Sequence, residues 1–148
     1  MIITPQIKYT VFFIILLINL IIDNIYSSIF NCIRYNGIYI GVIILLHHII
    51  AVIAYMGWLL PNKYLLLLSI IINISIQLHW ITNNDECIMT TYSNKKCNID
   101  KNEPLHDIIF LLHDSDSTIN IFGYNIYTEY ILLNIFLLLS IYNLYYLL

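Results

Sequence analysis

Two adjacent histidines, His47 and His48, sit inside the apolar run IILLHHIIAVIAY, and a third, His79, ends another such run at IQLHW. Asp23 is the one charged residue between Tyr9 and Phe30. An imidazole beside a sequestered carboxylate suits three kinds of chemistry: a hydrogen bond that holds packing, a proton path, or ligation of haem iron or a metal. A carboxylate at the centre of a bilayer costs roughly 2.5–3.5 kcal/mol on insertion scales, so Asp23 is expected to face a partner inside a bundle. Neighbouring helical residues point about 100° apart, so His47 and His48 cannot share one partner. One is expected to meet Asp23 or His79, the other a different neighbour or the membrane edge.

The elements that must position these groups are long and apolar. The chain has 148 residues, 60% hydrophobic and 10% charged, against about 25% charged in soluble domains. Ten of its fifteen Asp, Glu, Lys and Arg residues fall between residues 82 and 118. Crossing a hydrocarbon core takes roughly 20 apolar residues, and four segments qualify, at about 9–30, 37–60, 64–81 and 130–148. The expected fold is all-α: a single integral membrane domain over 1–148, a four-helix transmembrane bundle with one long polar loop at 82–129. Pro61-Asn62-Lys63 breaks spans two and three apart, because proline ends helices and Asn-Lys favours water. Trp58, Tyr64 and Trp80 stand near span ends, where amphipathic rings prefer the headgroup level. The first span lacks a small-residue cleavage site and reads as an uncleaved anchor.

Depth then groups the polar residues. Counted from the face that holds Pro61, His48 lies at roughly 20 Å, Asp23 at roughly 21 Å and His79 at roughly 23 Å by helical rise. Gln77 is close to that level, and Glu129 begins span four on the loop side. Asp23, His47, His48, Gln77, His79 and Glu129 are therefore the expected intramembrane polar cluster, with His47, His48 and His79 the candidate ligands of a cofactor. Packing is the leading role for this layer, ahead of a metal or haem site and a proton or ion path. No cofactor is expected, since C-x-x-C-H, H-E-x-x-H and H-x-x-E-H are all missing.

The polar loop carries "TNNDECIMTTYSNKKCNIDKNEP", in which Cys87 and Cys97 could close a disulfide; Cys32, at the loop-side end of span one, is a further thiol. "LHDIIFLLH" (105–113) has helical spacing and is expected to lie on the membrane face, or else to be a strand paired with "INIFGYNIY". Asn73-Ile-Ser75 matches a glycosylation pattern inside span three, where it is inert. Lys8 and Lys63 on one face against Arg34, Lys95, Lys96 and Lys101 on the other lean toward a cytoplasmic loop. A disulfide there would demand an oxidising compartment. The two signals oppose each other.

With a net charge of −3 and no basic face, nucleic acid is not an expected partner. The bilayer is, together with a protein partner or self-association. No catalytic motif is present, so the expected function is structural or assembly work in a membrane. The alternatives are a haem- or metal-binding redox protein and a small proton or ion transporter. The 34 Ile and 15 Asn against 2 Ala reflect AT-rich codons more than packing, and a large DNA virus or a parasite would fit such a genome.

The segments "HH" then "GWLL", "LHW" and "ECIMT" resemble small multi-helix membrane proteins without assigned activity, one group being the bacterial DUF2784 family, and the arrangement also resembles predicted membrane proteins of giant DNA viruses. The matching positions are His47 or His48, Gly57, Trp80, Cys87 and Thr90. Ile88 replaces the proline that follows the cysteine in that family, and the acidic residue beyond is missing. The likeness covers about a third of the chain and implies no activity.

Overall fold

The computed structural model describes residues 4–26, 32, 38–84, 86–100, 118–121 and 124–147. Among them run α1 (Pro5–Tyr26), α2 (Ile38–Met56) with a 3-10 turn at Gly57–Leu59, α3 (Lys63–Thr82), α4 (Ile88–Cys97), β1 (Thr118–Ile121), β2 (Tyr124–Tyr127) and α5 (Thr128–Leu147). Four helices, α1, α2 with its 3-10 turn, α3 and α5, are long and apolar enough to cross a membrane. The first begins four residues earlier than the hydropathy run suggests. Proline fits a first helical turn, whose N–H groups have no intrahelical acceptor.

Local chemistry sets the helix ends. The Asn62 side chain accepts from the N–H groups of Tyr64, at 2.8 Å, and Leu65, at 3.4 Å, capping α3 just after Pro61. At the far end Asn83 N–H donates to Trp80 O, and Asn84 takes the left-handed conformation. Asn98, also left-handed, ends α4, and Lys95 and Lys96 lie in its last turn, where cations face the negative end of the helix dipole.

α2 is the hub and the most buried of the four long helices. The chain's two alanines, Ala51 and Ala54, are both buried in its main cluster, packed with Tyr55 and Leu133 and flanked by Ile72, Ile76, Trp80 and Phe136. Small residues let helices approach closely where apolar side chains gain nothing from leaving lipid. Gly57, three residues after Ala54, continues this edge. A Cβ there would overlap the Ser69 side chain, whose hydroxyl donates to Ile53 O at 3.0 Å.

Asparagine joins α3 and α5, which run antiparallel. The Asn73 amide donates to Ala54 O at 3.3 Å and to Leu133 O at 3.1 Å. Trp80 meets Tyr130 edge to face, with centroids 5.6 Å apart, and at the opposite end Asn143 donates to Trp58 O at 2.7 Å. The outward faces hold Phe13, Ile25, Leu67, Ile71, Leu138 and Ile141, all exposed.

The segment at 82–129, expected to be one long polar loop, instead carries α4 and the hairpin. The Ala54–Asn73 contact sets the register of α2 against α3. Seven residues farther along each helix, roughly 10 Å by helical rise, come His47 and Trp80. The first seven residues of α2 therefore extend past the end of α3 at Thr82, and α4 takes over there, with Cys97 and Ile99 packed on Ile40 and Ile44. "INIFGYNIY" pairs with itself: β1 and β2 are antiparallel, from Thr118 opposite Tyr127 to Ile121 opposite Tyr124. The expected amphipathic helix at 105–113 lies outside the described residues.

Candidate functional site

The polar layer gathers where α1, α2, the end of α3 and the start of α4 meet. α1 turns Asn19, Ile22 and Asp23 inward at i, i+3, i+4 spacing, all buried. His48 Nε2 lies 3.1 Å from Asp23 Oδ2, and both side chains are 0% exposed. With Nε2–H donating to the carboxylate, His48 Nδ1 is left as an acceptor that has no hydrogen-bond partner among the described residues. The expected Asp23–histidine contact is thus made, by His48.

His47 turns to a different neighbour, as the 100° offset requires. Its Nδ1 lies 3.5 Å from Cys87 Sγ, while its ring meets that of His48 edge to face, with centroids 5.5 Å apart. Carboxylate, two imidazoles and thiol thus follow one another from the interior of the bundle to its loop-side end. Cys87 stands at the N-cap of α4. Burial pushes its thiol up, but the hydrogen bond and charge of His47, with hydrogen bonds from Thr90, outweigh burial and hold it at about 6. Above that pH the sulfur is predominantly thiolate, the nucleophilic form.

The other expected members go elsewhere. His79 Nε2 accepts from the N–H of Ile88 at 3.2 Å, satisfying a free donor in the first turn of α4. Gln77 donates to Asn73 Oδ1 at 2.8 Å and accepts from Asn134 at 3.2 Å, so it belongs to the α3–α5 seam. Glu129 lies in the first turn of α5, where a carboxylate faces the positive end of the dipole. The three histidines therefore point at three separate partners. Among the described residues no group of three His, Cys, Asp or Glu side chains could hold a metal ion.

The cysteine pairing differs from expectation. Cys32 is joined to Cys97, with Cα atoms 5.5 Å apart, and Cys87 is the free cysteine. Helix geometry gives the reason. Cys87 and Cys97 stand at opposite ends of α4, roughly 15 Å apart along its axis, far beyond the reach of a disulfide at about 4.4–6.8 Å between Cα atoms. The bridge therefore ties the chain following α1 to the end of α4.

The Thr90–Cys87 hydrogen bonds and the Ala51–Ala54–Gly57 edge are features that residue chemistry alone does not predict. Thr90, in the segment ECIMT, meets Cys87 one turn from the start of α4. The alanine edge had a signal, since two alanines spaced by three among so many isoleucines mark a close contact. Between α2 and α4, Tyr39, Ile43, Ile88, Met89 and Tyr92 line a cleft of about 210 Å³, below the roughly 300–1,000 Å³ of typical ligand sites. Compared with family models, curated proteins and solved structures, the chain matches none.

Proposed function

We propose that this chain is a multi-pass membrane protein with a structural or assembly role, presenting α4 and the hairpin as a contact surface in an oxidising compartment. The observation that carries this reading is the Cys32–Cys97 disulfide. Such bonds persist outside the reducing cytosol, which would put Pro5, Lys63 and Leu147 on the cytoplasmic side. The lysine balance leans the other way, but Lys95 and Lys96 lie thirteen and fourteen residues beyond Thr82 and weigh less than span-flanking charges.

The tie points support a held platform. The disulfide, the His47–Cys87 contact and the His79–Ile88 hydrogen bond all fasten α4 to the bundle. Exposed Ile88, Tyr92, Lys95 and Lys96 form the outer side of that helix, a mixed apolar and basic surface suited to a protein partner or a second copy. The AT-rich codon usage suits a viral or host-derived membrane.

Photo-crosslinking in native membranes tests this. Probes at Tyr92 and Lys96 are expected to give discrete protein adducts, while probes at Phe13 and Leu138 label lipid. Lipid-only labelling at all four positions would overturn the assembly role. A second reading, a proton path, is favoured by the sequence of Asp23, His48, His47 and Cys87. It requires proton flux in liposomes that Asp23→Asn abolishes.

A further inference from the structure

We propose that Cys87 and His47 form a reactive thiol site that captures a disulfide-bearing partner as a mixed disulfide. Cys87 is not an isolated thiol: the imidazole nitrogen stands 3.5 Å from its sulfur, which is the nucleophile–base arrangement of covalent catalysis. Cys87 also occupies the N-cap position of the ten-residue α4, without a side-chain capping bond, and helix N-termini favour the anion. Cys87 is half-buried, and its chain neighbours line an apolar cleft. Ile88 and Met89 follow it directly, and Ile43 lies one turn before His47. A cleft of about 210 Å³ has room for one large side chain next to the partner's cystine, and is too small for a haem.

The exchange balances within these groups. The Cys87 thiolate attacks one sulfur of a partner disulfide, a Cys87–partner S–S bond forms, and the partner's own S–S bond breaks. The departing thiolate takes the proton held by His47. No net oxidant is consumed, because the partner's disulfide is the electron acceptor. Release by this chain would require a second thiol near Cys87; otherwise the step is reversed by the partner's own departing thiol. The other two of the chain's three cysteines are joined to each other, with Cys97 roughly 15 Å away along α4. The chain itself therefore supplies no resolving thiol, which suits attachment rather than turnover. The proposal rests on the reading above only for its compartment, where disulfides are available.

The test uses the full chain in detergent, with glutathione disulfide as probe and peptide mapping as readout. The glutathione adduct should form on Cys87, with Cys32 and Cys97 still joined, and its rate should level off above about pH 7. The His47→Gln variant should react about five- to tenfold more slowly near pH 6.5. Its thiolate fraction falls about 80-fold if the thiol returns to about 8.5, and the higher intrinsic nucleophilicity restores roughly tenfold. Where that variant does not fold, the wild-type pH profile decides alone. No adduct on Cys87, or a rate that climbs about tenfold per pH unit to pH 8.5 as for an ordinary thiol, overturns the proposal. Because detergent removes compartment and topology, a failed reaction here leaves the membrane-scaffold reading standing. A failed orientation leaves the reactivity standing.

Discussion

His48 and Asp23 meet at 3.1 Å across the α1–α2 contact, with neither side chain reaching the surface. Breaking a buried pair strands the remaining polar group, at about 3–5 kcal/mol in soluble proteins, while interhelical hydrogen bonds in membranes are worth about 0.6–1.7 kcal/mol. Asp23→Ala should therefore lower bundle stability by about 1–3 kcal/mol, read by denaturant titration in detergent. Asp23→Asn keeps an acceptor and should lose less. Equal losses in the two variants would mean that the hydrogen bond does not hold α1.

Gly57→Ala should destabilise the α2–α3 contact by about 1–3 kcal/mol, as overpacking does. The new methyl would occupy space taken by Ser69. Adding Ser69→Gly should recover most of the loss, less about 0.5–1.5 kcal/mol for the hydrogen bond to Ile53 O. A double-mutant cycle measures the coupling, and strict additivity would count against the close approach.

Opening the Cys32–Cys97 bridge should cost up to about 4 kcal/mol. The chain-entropy relation gives that value for a loop of 65 residues, and spans already anchored in a membrane reduce it. Cys32→Ser and Cys97→Ser should each abolish the faster non-reducing gel mobility, whereas Cys87→Ser should leave it unchanged. A mobility change in the Cys87 variant would implicate the wrong cysteine.

The pH dependence has a definite sign. The Cys87 thiol is lowered from 9.0 to about 6, so the stability it contributes is complete above pH 9 and is lost as pH falls through about 6. Thiolate ultraviolet absorbance should titrate with a midpoint near 6 in the wild type and well above that in His47→Gln. Identical midpoints would remove His47 as the cause.

Much of this was legible in the sequence because membrane physics is one-dimensional. Apolar length fixed four helices, and helical rise put Asp23 and His48 at one depth. Rotation about each helix is not encoded in depth, so His79 and Gln77, at a similar level, proved to serve α4 and α5 instead. The disulfide could not be read because proximity in the loop is misleading. The residues between Cys87 and Cys97 coil into α4, which separates them and carries Cys97 to Cys32. Hairpin register was likewise ambiguous until "INIFGYNIY" closed on itself.

The most direct measurement is thiol labelling with a membrane-impermeant maleimide on sealed membranes whose loop side faces outward under the proposed orientation. Cys87 alone should label before reduction, and Cys32 and Cys97 should follow only after a reductant is added. Labelling of all three without a reductant, or labelling only after the membranes are opened, would contradict a disulfide-clasped platform on an oxidising face.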